Sequence, residues 1–207
     1  MLPFPQNARY FAVAAFSLAA LPGEMVTADE SEVASPHPEG HYIAVYVGQS
    51  ATRRLNEIIT QAATERQNSY LIAAGHGRIL RPGTRWRMEA EGQAVKHFGL
   101  QDHFEFNAVL VARWMRFPWD PVLDTRIAVG EGLSWATQEP PIEPRAGNDN
   151  RGSARLLNYL MLEIEAKPPA SQWSGFFRIH HRSGIFGVFG GVHGGSNFLA
   201  LGIRRYY

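Results

Sequence analysis

The sequence predicts an all-β fold, an eight-stranded antiparallel up-and-down transmembrane β-barrel over residues 40–207. The first observation behind this prediction is that aromatic and β-branched segments recur from Gly40 onward, separated by clusters of Gly, Pro, Asn and Asp. The second is that short, proline-rich connections alternate with longer ones. Short turns at one end of the strands and long loops at the other are typical of transmembrane β-barrels.

The composition excludes several classes of protein. The 207 residues include 20 Lys and Arg against 19 Asp and Glu, so the formal net charge of +1 provides no basic surplus for binding nucleic acid. Because the chain contains no Cys, it has no disulfide, no thiolate metal ligand and no cysteine nucleophile.

Residues 1–28 are predicted to be a secretory signal peptide. A short segment containing Arg9 precedes an apolar run over residues 11–21, and small residues lead to a cleavage site after Ala28. The run is too short to span a bilayer comfortably. A buried N-terminal helix is the alternative, which prolines on both sides of the run disfavour. Residues 29–39 are predicted to be a linker that leads into the barrel.

Eight predicted strands occupy the rest of the chain. The second, fourth and sixth connections between them are short, near residues 81–84, 118–121 and 167–170, and the others are expected to be longer. Because the strand number is even, the sheet can close with both ends of the barrel segment on the short-turn side and without an unpaired edge. The strands are predicted near Tyr42–Gln49, Tyr70–Arg78, Arg85–Gly92, Phe104–Arg116, Leu123–Ala136, Ala154–Ala166, Ser171–Ser183 and Asn197–Tyr207.

Residue parity predicts which side chains of each strand meet lipid. In the last strand, the row that contains Leu199 and Leu201 is expected to face outward. In the fifth strand the same reasoning turns Glu131 toward lipid, unless a bulge or the opposite parity intervenes. A soluble lipocalin-like barrel, with its apolar rows inward, has the same periodicity and is the alternative fold. Charged residues of the fourth and sixth strands are expected in the lumen: Glu105, Arg113, Glu163 and Glu165.

The seventh strand carries a candidate catalytic pair, His181 and Ser183. Both fall on the predicted outward row with Phe177 and Ile179, where polar groups are expensive and therefore indicate a function. Side chains at i and i+2 of a strand start roughly 6.5 to 7 Å apart, within reach of a hydrogen bond. A neutral imidazole can take the hydroxyl proton of Ser as the Ser attacks an ester. The strand direction places Ser183 near the outer-leaflet interface, where the esters of a lipid lie.

With the Gly-rich hairpin that follows it and a last strand ending in Tyr207, the segment His181-Arg182-Ser183 resembles the lipid A 3-O-deacylases of the outer membrane, the acyloxyacyl hydrolase family. The resemblance is densest over the last third of the chain. It implies a barrel in the outer membrane of a Gram-negative bacterium. It also implies a hydrolase, an esterase that removes an ester-linked acyl chain from lipid A (lipopolysaccharide) without a metal or a cofactor.

Two positions depart from the pattern of this family. Gly184 stands where the family has an Asn associated with oxyanion stabilisation, which leaves a backbone N–H as the expected donor. Gly195 stands where the family has the Glu that orients the His. We predict Asn197, placed opposite Ser183, as the third member of the triad, with Glu143 of the third outer loop as the alternative. An amide can orient an imidazole, but it cannot stabilise imidazolium as a carboxylate would.

Other interpretations of the same residues remain. No metal is predicted from His180, His181 and His193, because the first two point to opposite faces of their strand. The polar pair could also belong to the interfacial band of a non-catalytic outer-membrane barrel with a structural or binding role. Arginines expected at the outer rim are candidates for contact with lipid A phosphates: Arg53, Arg54, Arg145, Arg151, Arg155 and Arg182.

Overall fold

The computed structural model describes residues 40–61, 65–143 and 153–207. Consecutive strands pair antiparallel, and β1 also pairs with β8, which closes the barrel. The predicted fold class is thereby confirmed. The predicted signal peptide and linker lie outside the described residues and stay predictions. The strands are β1 (His41–Ala51), β2 (Arg66–Arg81), β3 (Trp86–Gly99), β4 (His103–Trp114), β5 (Asp124–Ala136), β6 (Leu156–Lys167), β7 (Trp173–Ser183) and β8 (Gly195–Tyr206).

The two faces of the barrel wall have opposite chemistry. On β1, Val45 and Val47 are 49% and 57% exposed, whereas Tyr42 and Tyr46 on the other row are buried. All eight strands expose large apolar side chains in this way, and the lumen is lined with charged and aromatic groups. On β5 the alternation continues without a register shift and turns Glu131 outward. Apolar groups outside and charges inside are the arrangement of a transmembrane barrel, the reverse of a lipocalin-like one.

Ion pairs fill the lumen between β4, β6, β7 and β8. Arg113 Nη1 donates to Glu163 Oε1 and Glu165 Oε2 at 2.8 Å each. Arg178 Nη2 donates to Glu163 Oε2 at 2.6 Å, and Arg204 Nη1 donates to Glu165 Oε2 at 2.6 Å. Removing an ion from water costs on the order of several kcal/mol. Only close opposite charges with many hydrogen bonds offset that penalty. The predicted lumenal position of these two glutamates is confirmed.

The third connection corrects the expectation of a long loop. Residues 100–102 form a short turn, because β3 runs on to Gly99 and β2 begins already at Arg66. Gly99 has a φ of 98°, and a Cβ there would lie 2.3 Å from a backbone oxygen, so the turn requires glycine. The first four residues of β2 are polar and carry no period-2 apolar signal, which is why the sequence pattern missed them. The other outer connections are long: 52–65, 137–155 and 184–194.

A short helix that the sequence analysis did not predict lies in the first outer connection. This helix, α1, spans Leu55–Gln61 and begins where Arg54 N–H donates to Glu57 Oε2 at 3.1 Å. Its Ile58 packs against outward side chains of β1, β6, β7 and β8, so the helix covers part of the outer wall. No helix among the described residues is long and apolar enough to cross a membrane. The side chains under α1 are Ala51, Leu162, Ile179 and Leu199.

Candidate functional site

The site lies on the outward row of β7, at the end of the strand that leads into the last outer connection. His181 and Ser183 are both half-buried there, whereas Trp173 and Phe177 lower on the same row are 50% and 39% exposed. On the inward row, His180 is 1% exposed. The structure therefore brings the imidazole and the hydroxyl to the same face of the wall.

Asn197 on β8 sits directly opposite His181, not opposite Ser183 as we expected. Its Oδ1 lies 2.7 Å from His181 Nδ1, and its Nδ2 donates to Arg53 O at 2.9 Å. Because a carbonyl oxygen only accepts, the second bond fixes which end of the amide faces the ring. Asn197 Oδ1 must then accept a proton from Nδ1–H, so the tautomer leaves the lone pair on His181 Nε2. Neutral imidazole with this tautomer is the form that a general base needs.

Ser183 is the last residue of β7. Its backbone pairs with Gly195 on β8 and with Asn158 on β6. Within the described parts of the chain, no hydrogen bond joins Ser183 Oγ to His181. The two side chains are related by their shared face and by their i, i+2 spacing on β7.

The backbone N–H of Gly184, the predicted oxyanion donor, already has a hydrogen-bond partner in the structure. Gly184 N–H donates to Gly194 O at 3.1 Å and is thereby engaged within the last outer connection. A Cβ at Gly184 would lie 2.0 Å from Val192 O, so this turn admits only glycine. The close approach of the two chain segments explains why no side chain at this position can contribute to the site.

The expectation that Glu143 folds down beside His181 is wrong. Glu143 Oε1 instead accepts from Arg182 Nη1 at 2.5 Å and from Ser196 Oγ at 3.4 Å, on the inward rows of β7 and β8. Burial raises the pKa of Glu143 to about 7, although the Arg182 guanidinium acts in the opposite direction. Glu143 therefore closes the outer end of the lumen and does not orient the imidazole.

Arg182 is also unavailable to a lipid phosphate. It is 1% exposed, and its Nη2 donates to the backbone oxygens of Ala154 and Arg155 at 2.6 Å each. Of the other predicted rim arginines, Arg53, Arg54 and Arg155 are exposed, and Arg145 and Arg151 lie outside the described residues.

Sequence reasoning overlooked Asn158 as part of the polar site. Asn158 belongs to the outward row of β6, between Leu156 and Leu160, and is only 6% exposed. Its Nδ2 donates to Glu131 Oε1 on β5 and to Gly132 O at 3.1 Å. Residue parity already marked Glu131 as a carboxylate on the wrong face for a transmembrane strand. The corresponding signal on β6 was Asn158, an amide in an otherwise apolar outward row.

A second group overlooked by the sequence analysis lies in the lumen. Glu105 Oε2 is 2.8 Å from His97 Nε2, and Glu105 Oε1 is 3.0 Å from His180 Nε2. Two imidazoles and a carboxylate, with ligand atoms within 4.8 Å of one another, form a set of donors that suits a divalent metal. The Nδ1 atoms of both rings also have partners, in Gln101 for His97 and Tyr46 for His180. The four ring nitrogens are therefore already paired within the protein, as in a structural hydrogen-bond network.

Comparisons with known proteins concern the barrel as a whole. No protein-family model matches the chain, and no curated protein matches it. The solved structure of the outer membrane enzyme PagL is 15% identical, with a TM-score of 0.49 over 79% of this chain and 98% of that one. Neisserial surface protein A is 12% identical, with a TM-score of 0.48 over 81% and 96%. The N-terminal β-barrel domain of Pseudomonas aeruginosa OprF is 10% identical, with a TM-score of 0.43 over 82% and 98%. Identities of this size leave the chemistry of the site to be argued from its residues.

Proposed function

We propose that this protein is a serine esterase of the Gram-negative outer membrane that removes an ester-linked acyl chain from lipid A. The observation that carries the proposal is the hydrogen bond between Asn197 and His181. It holds the imidazole on the lipid-facing wall in the tautomer that can accept a proton at Nε2. Ser183, two residues along the same row, is the nucleophile in this proposal.

The reaction follows from these roles. His181 Nε2 takes the proton of Ser183 Oγ as the oxygen attacks the carbonyl carbon of the acyl ester. The bond from that carbon to the sugar oxygen breaks, and the imidazolium returns its proton to the leaving oxygen. Water then attacks the acyl carbon as His181 takes its proton. The bond from that carbon to Ser183 Oγ breaks, the imidazolium returns the proton to Oγ, and the fatty acid leaves. The proposed reaction uses no metal and no cofactor.

The location of the pair suits a lipid substrate. β7 starts after the short connection at residues 168–172 and ends at Ser183, beside the long connection at residues 184–194. In barrels of this type the long loops lie on the extracellular side, so Ser183 would lie at the level of the outer-leaflet interface. The ester bonds of lipid A lie at that depth, next to its sugar headgroup. Because Asn197 is neutral and does not stabilise imidazolium, we expect slower turnover than with a carboxylate partner.

The experiment is mass spectrometry of lipid A from cells that express the wild-type protein, Ser183→Ala, or neither. Loss of one hydroxyacyl mass is expected with the wild type alone. Heat-modifiable mobility on gels will check that both proteins are folded in the membrane. An unchanged spectrum at equal expression of folded wild type would contradict the proposal and favour a non-catalytic barrel with a structural or binding role.

A further inference from the structure

The outer wall near Ser183 carries a buried amide for which the reaction above has assigned no role. Asn158 is 6% exposed although its row faces outward, and Leu156 on the same row is 48% exposed. A buried amide on a lipid-facing row is costly unless its polar atoms are paired. Its hydrogen bond to Glu131 brings a second polar residue to this outer wall. Neither side chain takes part in the lumenal ion pairs of the described residues.

The register places this amide at the nucleophile. Asn158 on β6 is the direct partner of Ser183 on β7. Side chains of directly opposed residues in an antiparallel pair start about 4.5 to 5.5 Å apart on the same face of the sheet. The Asn158 side chain turns toward β5 in the resting structure, where Nδ2 donates to Glu131 Oε1 and Gly132 O, so it rotates toward β7 to reach a carbonyl group bound to Ser183 Oγ. Asn197 lies on the other side of β7, so the two amides flank the catalytic strand.

The reaction requires a donor at this place. Attack on an ester carbonyl converts its oxygen into an oxyanion, which hydrogen-bond donors must stabilise. Gly184 N–H is engaged with Gly194 O and cannot serve without opening the turn. Asn158 Nδ2 already donates to a carboxylate oxygen of Glu131, so the amide binds a negative oxygen in the resting structure. Unlike the N–H of Gly184, this donor is released by rotation of a side chain, without opening a turn.

We propose that Asn158 is a catalytic residue whose Nδ2–H stabilises the oxyanion formed on attack by Ser183. Glu131 is the positioning residue that holds this amide until the substrate takes its place. The assignment rests on the proposed esterase function and adds a residue to it. It also supplies, from the neighbouring strand, the donor that the turn at Gly184 cannot provide.

The test compares Asn158→Asp and Asn158→Ala with wild type on lipid A in mixed micelles. A second readout is the rate at which an alkyl fluorophosphonate labels Ser183, because its phosphoryl oxygen becomes the equivalent oxyanion as fluoride leaves. Each variant is expected to lose about 10²-fold in kcat and in labelling rate, with KM changed by less than about threefold. Leu133→Ala is the matched control, since Leu133 is the partner of Asn158 on β5 and carries no polar group.

Glu131 is tested by rescue. Glu131→Leu is expected to slow labelling by about two- to tenfold, the value of one lost hydrogen bond, because the amide then keeps only its bond to Gly132 O. Glu131→Gln should restore the rate, since its amide oxygen also accepts from Asn158 Nδ2. Equal rates for the Leu and Gln variants would refute the positioning role.

The outcomes separate this inference from the function on which it rests. Turnover that disappears in Ser183→Ala but persists within about threefold in folded Asn158→Asp would overturn the oxyanion assignment alone. The donor would then be a backbone N–H of residues 184–194. Absence of both turnover and labelling in folded wild type would overturn the esterase function and this assignment together. Folding of every variant is checked by heat-modifiable mobility.

Discussion

His180 and His181 are neighbours in the chain but lie in opposite environments. His180 faces the lumen, where Glu105 Oε1 is 3.0 Å from its Nε2 and Tyr46 Oη is 3.2 Å from its Nδ1. His181 faces outward, and Asn197 holds its Nδ1 at 2.7 Å. In the lumen both ring nitrogens of His180 have hydrogen-bond partners. On the outer wall, Nε2 of His181 keeps a lone pair that can accept a proton. Chemistry is therefore expected outside, although most of the charge is inside.

The same contrast separates the glutamates. Glu163 in the lumen accepts hydrogen bonds from Arg113, Arg178 and Arg204. Glu131 on the outer wall accepts from Asn158 alone among the hydrogen bonds of the described residues. A carboxylate held by three guanidiniums serves the stability of the barrel. A carboxylate with one neutral partner at the lipid face indicates a functional site, because it does not contribute to the ion pairs that stabilise the barrel.

The largest expected effect concerns the two histidines. His181→Ala should lower the rate of lipid A deacylation by about 10⁴-fold or more, because the general base is lost. His180→Ala should change kcat by less than about threefold in folded protein, since that ring faces the lumen. Both rates are measured on purified, refolded protein in mixed micelles. If His180→Ala proved as damaging as His181→Ala in folded protein, the site would not be on the outer wall.

The next largest effect is on stability and belongs to the lumen. Glu163→Ala leaves buried guanidiniums without their shared carboxylate and should lower the free energy of unfolding by about 3–5 kcal/mol. Urea unfolding in lipid vesicles measures this difference. Glu65→Ala is the matched control, because the Glu65 side chain is 74% exposed beside Arg53 and its loss should cost less than about 1 kcal/mol. Similar losses in the two variants would mean that the lumenal network does not support the barrel.

His180→Ala should also reveal its lumenal role in the same unfolding measurement. The change leaves Glu105 with one imidazole partner fewer, and we expect a loss of about 1–3 kcal/mol in the free energy of unfolding. Ser183→Ala, a half-buried change on the outer wall, should stay within about 1 kcal/mol of wild type. A Ser183 variant less stable than the His180 variant would argue that the outer pair is structural.

The smallest expected effect is at Asn197. Asn197→Ala removes one orienting hydrogen bond and should lower kcat by about tenfold, far less than loss of His181. Asn197→Glu should maintain or raise kcat, because a carboxylate can both orient the imidazole and stabilise imidazolium. Steady-state kinetics on lipid A decide between these outcomes. A Glu variant as slow as the Ala variant would show that the amide bond to Arg53 O, and not the missing charge, matters most.

Much of the fold could be predicted from the sequence because strand side chains alternate with a period of two. That period identified eight strands, assigned Glu163 and Glu165 to the lumen and placed His181 and Ser183 on one outward row. The period of two missed the first four residues of β2, which pair through the backbone without apolar alternation. It also missed the short helix α1 in the first outer connection. Parity reports which face a residue occupies and nothing about its neighbours on other strands.

Those neighbours were decided by the tertiary structure alone. The register of β7 against β6 and β8 set Asn197 opposite His181 and Asn158 opposite Ser183. A shift of two residues keeps every side chain on its face, so the apolar pattern leaves this choice open. The packing of the last outer connection engages Gly184 N–H with Gly194 O, which is why the proposed oxyanion donor is sought on another strand. Register and loop packing depend on contacts between residues far apart in the chain, which local periodicity does not encode.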